Sequence, residues 1–362
     1  MKFSSTAILS TLSLASISSA AEYSLSWVKD ISLPTPGFLE MIDDGIYMTS
    51  FNAEPFFLSK NGVYHLKAAD FMTEEPTLLT DELDWPNDMT LLPEEMFGYR
   101  ALAVGHGFLV PFGGHTTGGV SVINLDDPSS SPVKVTKDIK DWFYHKAYYR
   151  DMDGDGDLDL ITARCRDNLQ NRTIDDELGN AFAAEFMDVN NDGSMDILAT
   201  NHLTENGGVF AYSWDNSEPL ATAKITKHTL ASGIDNVQDK GMAPGHSFTV
   251  FPNANDKTGK PYIMVDGDGA ENYMMLSPKE EGEFEYDLQV LFPTNCTVGK
   301  SVGADVDGDG MSEVFIPLYE KNVVRVMRFV KEGEEVVAPP DVPNVKGLER
   351  PNAEKAAQQA MM

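Results

Sequence analysis

Short segments in which apolar and polar residues alternate run through most of the chain, and turn residues separate them. "PGFLEMIDD" and "GIYMTSFN" follow one another from Pro36, and the same alternation occurs in "GGVFAYSWD" from Gly207. A period of two places successive side chains on opposite faces, which is the pattern of a half-buried β-strand. The pattern therefore predicts an all-β protein.

The predicted strands group into sets of four. From Phe182 the chain is predicted to form strands in "FAAEFMD", "MDILATNH", "GGVFAYSWD" and "ATAKITKHTL". Repeated four-stranded units are typical of a β-propeller, in which each unit is one blade. We predict six blades, with seven as the alternative because their spacing is irregular. The predicted blades start near these residues: Gly37, Asn87, His145, Phe182, His246 and Lys300.

One strand is left over at the start of this repeat, and one is missing at its end. "YSLSWVKDIS" from Tyr23 precedes the first blade, whereas the blade that starts near Lys300 has only three strands. If the first strand pairs with the last blade, both exposed sheet edges are removed. We therefore predict a ring closed by this pairing.

An acidic motif occurs three times, each time followed by a strand. The copies are "DMDGDGDLD" from Asp151, "DVNNDGSMD" from Asp188 and "DVDGDGMSE" from Asp305. Oxygen-bearing side chains at positions 1, 3, 5 and 9, with glycine at position 6, suit a hard cation that takes six to eight oxygen ligands. An EF-hand is excluded because position 12 lacks glutamate and the flanking segments alternate like strands.

These loops resemble those of the FG-GAP/VCBS repeat family, whose D-x-D-x-D-G-x-x-D loops bind calcium on propeller blades. The resemblance implies three Ca²⁺ sites, with the residue at position 7 contributing its backbone carbonyl. Glu313 departs from the family pattern, which has aspartate at the ninth position. The implied ligands are Asp151, Asp153, Asp155, Asp157 and Asp159 in loop 1, Asp188, Asn190, Asp192, Ser194 and Asp196 in loop 2, and Asp305, Asp307, Asp309, Met311 and Glu313 in loop 3.

The charge of the chain agrees with a preference for cations. It has 57 acidic and 27 basic side chains, for a net charge of −30. Such a charge disfavours nucleic acid and anionic membranes as partners. The only two cysteines, Cys165 and Cys296, exclude a disulfide framework and leave a single bridge between them open.

Sequence signals divide the chain into three parts and predict secretion. Residues 1–21 read as a signal peptide, with Lys2 before a short apolar stretch and small residues at the predicted cleavage site. Residues 22–334 are predicted to form a single propeller, and residues 335–362 a Pro-rich, poorly ordered tail. No later segment is apolar enough to span a bilayer. Two sequons, at Asn171 and Asn295, predict a glycoprotein if the source is eukaryotic.

In a propeller the starts of the inner strands converge around the central axis, which makes them the natural place for a binding or catalytic site. The candidate catalytic residues there are His145, His246 and Asp88, with Asn87, Lys300, Glu40 and Glu185 nearby. Histidines and a carboxylate can hold a metal or transfer protons. The G-x-S-x-G, P-loop and H-E-x-x-H motifs of other enzyme classes are missing from the sequence.

The sequence thus predicts a secreted, calcium-binding β-propeller that acts as an extracellular binding or adhesion module for carbohydrate or protein. The alternative is a propeller enzyme, a lyase, lactonase or dehydratase acting on a sugar, with the axial His and Asp residues as its site. A third interpretation is an acidic matrix protein that holds Ca²⁺ in bulk through its surface charge.

Overall fold

The protein is described by a computed structural model that covers most of the chain. The described residues are 22–51, 61–107, 118–137, 143–150, 159–165, 174–175, 177–218, 220, 223–239 and 241–345.

Five four-stranded antiparallel sheets account for most of the described chain, and all but the last are built from consecutive strands. The first two contain β2 (Pro36–Ile42), β3 (Gly45–Ser50), β4 (Gly62–Lys67) and β5 (Thr77–Thr80), then β6 (Pro86–Leu92), β7 (Ala101–His106), β8 (Gly119–Asn124) and β9 (Val133–Lys134). The next two contain β12 (Ala181–Met187), β13 (Asp196–Asn201), β14 (Gly207–Ser213) and β15 (Thr226–Ile234), then β16 (Ser247–Val250), β17 (Tyr262–Asp266), β18 (Asn272–Pro278) and β19 (Tyr286–Pro293). The last contains β1 (Tyr23–Ser32), β20 (Val302–Ala304), β21 (Glu313–Leu318) and β22 (Val323–Lys331).

A sixth sheet lies between the second and third of these in chain order. Within the described residues it consists of two antiparallel strands, β10 (Phe143–Arg150) and β11 (Asp159–Cys165). The longest helix described, α1 (Glu94–Phe97), has only four residues and connects β6 to β7. The protein is therefore an all-β propeller with five four-stranded blades and a smaller sheet.

Successive sheets pack face to face, because alternate residues of a strand point to opposite neighbours. In β17, Ile263 and Val265 pack with residues of the β12–β15 sheet, whereas Met264 packs with Val314 and Met327 of the last sheet. All five of these side chains are essentially excluded from solvent. Each sheet thus buries both faces, which explains why central strands such as β21 are apolar at nearly every position.

The last sheet joins the two ends of the described chain. Strand β1 pairs antiparallel with β22, and Tyr23 lies opposite Lys331 while Ser32 lies opposite Val323. A register shift between Trp27 and Lys29 marks a bulge in this ladder. The N-terminal strand therefore lies in the same sheet as the last three strands.

Residues 335–345 belong to the segment that the sequence analysis assigns to the tail, and they run along this last sheet. The backbone N–H of Trp27 donates to Val337 O at 2.8 Å, and that of Val345 donates to Glu320 O at 2.7 Å. Arg325 Nη2 also donates to Pro340 O at 2.9 Å. These bonds attach the segment to β1, to β22 and to the turn that precedes β22.

Cys296 is a free thiol and fully buried, and the side chain of Cys165 lies outside the described residues. Burial raises the pKa of the Cys296 thiol to about 12, so it stays protonated. The described part of the chain contains no helix that is long and apolar enough to cross a membrane.

Candidate functional site

Six side chains from the first strands of the six sheets meet near the axis of the propeller and form what we call the axial chain. Acidic and basic groups alternate along it. Its members are Glu40 on β2, Lys300 just before β20, Asp88 on β6, Lys146 on β10, Glu185 on β12 and His246 just before β16.

Each neighbouring pair in the axial chain is within ion-pair distance. Lys300 Nζ contacts Glu40 Oε1 and lies 2.9 Å from Asp88 Oδ1, while Lys146 Nζ lies 3.3 Å from Asp88 Oδ2. Lys146 Nζ is also 2.5 Å from Glu185 Oε1, which in turn is 3.2 Å from His246 Nε2. Because these residues come from six separate sheets, the chain of ion pairs links the sheets across the axis.

Asp88 and Lys300 are held in their charged forms. Burial acts against the ionised carboxyl of Asp88, but the ammonium groups of Lys300 and Lys146 outweigh it and keep its pKa below the usual range. Burial likewise disfavours the Lys300 ammonium, yet Asp88, Glu40 and Glu185 raise its pKa. Neither side chain is therefore able to exchange a proton near neutral pH.

Glu40 and Glu185 have opposite pKa shifts although both are partly buried carboxyls in the same cluster. Burial raises the pKa of Glu40 to about 8, although the nearby Lys300 acts in the other direction. For Glu185, burial raises the pKa, but its hydrogen bond with His246 and the charges of Lys146 and Lys300 lower it to about 2. At neutral pH Glu185 is ionised, whereas Glu40 carries a proton.

His246 is neutral at physiological pH. Burial lowers its pKa to about 4, against the opposing influence of Glu185. Its Nδ1 lies 3.9 Å from Asp266 Oδ2 and makes no hydrogen bond in the described structure. Asp266 in turn accepts bonds from Ser301 Oγ at 2.5 Å and Ser301 N at 3.0 Å, and its burial raises its pKa to about 8.

A cavity of about 390 Å³ opens beside the axial chain. Its lining combines a few charged or titratable side chains with many apolar ones. Its lining comprises Glu40, Met41, Ile42, Met89, Thr90, Leu91, Glu185, Met187, His246, Phe248, Thr249, Lys300, Ser301, Val302 and Gly303. Such a volume with a few convergent polar groups is typical of a small-molecule site.

A second cavity of about 380 Å³ shares Thr249 and Gly303 with the first and extends to Asp305. The inner strands run from the axial chain towards the acidic loops, since loop 2 follows β12 and loop 3 follows β20. The second cavity therefore lies beside loop 3 and shares part of its wall with the first.

Two of the three candidate catalytic residues, Asp88 and His246, lie in the axial chain. The side chain of His145 lies outside the described residues, and the neighbouring Lys146 contributes to the chain instead. Register shifts occur near the start of four inner strands, including one between Tyr144 and Lys146 in the β10–β11 pair. A bulge exchanges the two faces of a strand, so simple alternation does not identify the residue that points inward.

Loop 3 brings three predicted ligands together. Oxygen atoms of Asp305, Asp307 and Glu313 all lie within 4.8 Å of one another. Glu313 is only 1% exposed, and its Oε2 accepts a hydrogen bond from Val306 N at 3.0 Å, but its Oε1 has no partner in the described structure. Burial and the nearby aspartates raise the pKa of Glu313 to about 7.

Asp309, the ligand predicted at position 5 of loop 3, has a different partner. Its Oδ2 accepts a hydrogen bond from Arg328 Nη1 at 3.0 Å, and its Oδ1 accepts one from Met311 N at 2.8 Å. Arg328 on β22 thus binds a carboxylate that the sequence predicts as a calcium ligand. Sequence spacing could not reveal this contact because Arg328 belongs to another strand.

Loop 2 has the same backbone design as loop 3 but a looser set of carboxylates. Gly193 and Gly310, at position 6 of the two loops, have φ values of 84° and 92°, where glycine is favoured. Asp188 accepts hydrogen bonds from the backbone of Asp192 and Gly193, at 3.1 and 2.9 Å. Asn190 Nδ2 donates to Asp192 Oδ2 at 2.9 Å, so two predicted ligands are bonded to each other.

Loop 1 is largely beyond what the structure describes. Asp151, Asp153, Asp155 and Asp157 lie outside the described residues. Asp159 begins β11, but its side chain also lies outside them. The predicted calcium site at loop 1 therefore stays a prediction.

No protein-family model matches this sequence, and a search of curated proteins finds no match either.

Similar solved structures are distant in sequence. The PQQ-bound aldose sugar dehydrogenase of Streptomyces coelicolor has 11% identity and a TM-score of 0.48, covering 86% of this chain and 99% of that one. Bacteroides ovatus Xyloglucan PUL GH43B has 14% identity and a TM-score of 0.37, covering 90% and 61%. A mutant alpha-L-arabinanase of Cellvibrio cellulosa has 11% identity and a TM-score of 0.34, covering 84% and 92%. At these values the likeness carries no information about function.

Proposed function

We propose that this protein is a secreted, calcium-binding propeller of six blades that acts as an extracellular binding module for carbohydrate or protein. The calcium part of this proposal rests on the Oε1 atom of Glu313, which has no hydrogen-bond partner in the described structure and is buried beside Asp305 and Asp307. A buried carboxylate oxygen without a donor is costly, and a hard cation that takes oxygen ligands would satisfy it.

The arrangement of the carboxylates also predicts which loop binds Ca²⁺ more tightly. Loop 3 offers Asp305, Asp307 and Glu313 as converging carboxylates, so it is the site we expect to bind Ca²⁺ most tightly. Loop 2 has the neutral Asn190 in place of one carboxylate, and its ligands satisfy part of each other's hydrogen-bonding capacity. It should therefore bind more weakly, because fewer charges favour the ion.

Six blades follow most simply from the axial chain, to which each of the six sheets contributes one side chain. The sheet of β10 and β11 packs on the second sheet through Tyr144 and Ala147, as a blade would. With β1 in the last sheet, the first and last parts of the chain meet as a closed ring requires.

The states of Asp88, Lys300 and His246 favour binding over catalysis. Asp88 and Lys300 stay charged because of each other, and His246 stays neutral because of its burial. Groups that do not change protonation near neutral pH serve poorly as general acids or bases. Lys300 and His246 also line the cavity, where they supply polar groups of the kind that a ligand site needs.

A specific observation favours a second candidate, a propeller enzyme that acts on a sugar. Glu40 and Glu185 line one cavity, and their pKa values are about 8 and about 2. Two carboxyls with separated pKa values are the arrangement of an acid and base pair. In this alternative Glu40 is the proton donor and Glu185 the ionised partner.

Calorimetric titration of the chelator-stripped protein with Ca²⁺, with thermal unfolding measured alongside, tests the calcium proposal. We expect two or three tight sites and a large rise in melting temperature. Many weak sites without stabilisation would instead favour the acidic matrix protein, and no binding would refute the loop assignment.

The variant His246→Gln separates the binding module from the enzyme. In a binding module this neutral residue only supports the cavity, so the variant should fold and retain most of its ligand affinity. In the enzyme the same change removes a partner of Glu185, and turnover should be lost without unfolding. Screening the wild-type protein against sugar lactones and uronates supplies the activity readout.

Secretion is tested by expressing the full chain in a eukaryotic cell and analysing the medium. We expect a mature protein that starts near Ala21, with glycans at the sequons of Asn171 and Asn295. Of these two, Asn295 lies in the described structure and is exposed, as a glycosylated side chain must be. Retention of the protein inside the cell contradicts this part of the proposal.

A further inference from the structure

The axial cavity presents two carboxyl groups to its interior, and the ammonium group of Lys300 lies behind them. The side chains of Glu40 and Glu185 are 22% and 21% exposed, and both line the cavity. The Lys300 side chain is only 6% exposed, since Glu40 and Asp88 surround its ammonium group. A molecule that enters the cavity therefore meets two carboxyl groups before it meets an ammonium.

The carboxyl groups of the axial chain outnumber its ammonium groups among the described side chains. Three carboxyls, those of Glu40, Asp88 and Glu185, share two ammonium groups, those of Lys146 and Lys300. While Glu40 is protonated the cluster is neutral, and ionisation of Glu40 gives it a net charge of −1. A cation bound beside Glu40 and Glu185 would take the place of the Glu40 proton and keep the cluster neutral.

We propose that the axial cavity binds a small organic ammonium compound, with its cationic nitrogen held between Glu40 and Glu185. This inference deepens the proposed function, on whose binding role it rests, by naming the chemical class of the ligand. An ammonium group has three donors and no acceptor, which matches a site that presents carboxylate oxygens.

The rest of the cavity distinguishes an organic cation from a bare metal ion. Met41, Met89, Met187 and Phe248 form apolar walls, which give a hydrated ion no oxygen ligands but can pack against a carbon skeleton. The ring of Phe248 can also attract a cation through its π face. A cavity of about 390 Å³ is large enough for a molecule of monosaccharide size, such as an amino sugar.

The charge of the whole molecule favours the same sign of ligand. The net charge of −30 concentrates cations near the protein and repels anions.

Calorimetry with the full, calcium-saturated chain tests the proposal directly on the wild-type protein. The probes are glucosamine, glucose and butylamine, at concentrations up to the millimolar range. We expect glucosamine to bind at one site and glucose, which has the same ring without the charge, to bind at least about tenfold more weakly. Equal binding of glucosamine and glucose, or no binding of either amine, overturns the proposal.

The measurement with butylamine distinguishes a site for amino sugars from a site for alkylamines in general. If butylamine binds as tightly as glucosamine, the site recognises the ammonium group and an apolar chain, and the sugar ring adds nothing. If glucosamine binds more tightly, the ligand class narrows to amino sugars. Both results support an ammonium site.

Variants locate the site. Glu40→Gln and Glu185→Gln each replace a carboxyl by an amide that cannot ionise, with little change in shape, and each should weaken glucosamine binding by about tenfold or more. Glu332→Gln removes one charge from an exposed turn and controls for the general field of the protein. We expect it to change the affinity less than about twofold, and equal loss in all three variants contradicts a local site.

Proton release gives a readout that does not depend on a variant folding well. Glu40 carries a proton at pH 7 because its pKa is about 8, with Lys300 and Asp88 as its charged neighbours. A cation bound beside it should expel that proton, so the binding heat should depend on the ionisation enthalpy of the buffer. Binding without proton release places the ammonium elsewhere and refutes its contact with Glu40.

The two proposals fail in distinguishable ways. If calcium binds the loops and no amine binds the cavity, the calcium module stands and this inference falls. If an amine binds and the loops take up no calcium, the calcium assignment falls and the axial site stands. The two titrations are therefore run on the same preparation.

Discussion

Asp30 and Arg325 are separated by 295 positions in the sequence, yet they form a two-bond ion pair. Arg325 Nε donates to Asp30 Oδ1 and Nη2 donates to Oδ2, both at 2.9 Å. The two residues lie opposite each other in the β1–β22 ladder, and the Arg325 side chain is only 4% exposed. This pair therefore fastens the first strand of the chain to the last sheet.

We expect Asp30→Asn to destabilise the protein by about 3 kcal/mol, because it leaves the buried guanidinium of Arg325 without its counter-charge. Urea unfolding measures the change. Asp287→Asn is the matched control, since Lys279 and Asp287 also form an ion pair, at 2.7 Å, but both are exposed. It should cost less than about 1 kcal/mol, and a similar cost for both variants would refute a special role of the first pair.

The second prediction concerns Lys300, which links Glu40 and Asp88 at the axis. Lys300→Met should lower the free energy of unfolding by about 3–5 kcal/mol, because it removes the main cation from a buried group of carboxyls. Arg100→Met provides the comparison. Arg100 and Asp43 form an exposed pair at 2.7 Å, so the loss of this pair should lower the free energy of unfolding by about 1 kcal/mol at most. Wild-type-like stability of Lys300→Met contradicts the axial chain as a structural link.

The third prediction concerns pH and His246. Glu185, Asp266, Lys146 and Lys300 are the charged or titratable groups that face it among the described residues. Its pKa is about 4 in the fold and about 6.5 in an unfolded chain, so the unfolded state binds more protons between these values. Stability gained from neutral His246 is therefore fully present above about pH 6.5 and is lost as the pH falls towards 4.

Unfolding measured at several pH values between about 4 and 7 tests this sign. His246→Gln has no titrating group at this position, so its stability should fall less than that of the wild-type protein on acidification. The other titratable groups are present in both proteins, so the difference between the two profiles reports on His246 and on its contact with Glu185. A parallel course of the two profiles would show that the histidine is already solvated in the fold.

The fourth prediction concerns loop 3. Asp305→Asn should remove one calcium from the titration and reduce the calcium-dependent stabilisation, which for one site amounts to about 2.7 kcal/mol at a hundredfold excess over Kd. Asp256→Asn changes an exposed aspartate of a neighbouring loop that lacks the motif and should leave both quantities unchanged. An unchanged stoichiometry in Asp305→Asn would remove loop 3 from the list of calcium sites.

The sequence alone determined the class of the fold and the approximate position of many strands. The leftover segment from Tyr23 to Ser32 coincides with β1, and the four strands predicted from Phe182 overlap with β12–β15, although β15 begins five residues later than predicted. This was possible because alternation with a period of two, interrupted by turn residues, is a local signal that each strand carries in its own residues. The acidic loops were visible for the same reason, since their spacing lies within nine positions.

Only the tertiary structure decided which side chains meet. Lys146 replaces the expected His145 in the axial chain because a bulge shifts the register of β10. Arg328 forms a hydrogen bond with Asp309 because β22 lies beside loop 3 in the folded protein. The pairing of Glu40, Asp88 and Glu185 with two lysines depends on six sheets that meet at an axis. Local sequence carries no record of such contacts, because burial and charge at the axis arise only when the sheets assemble.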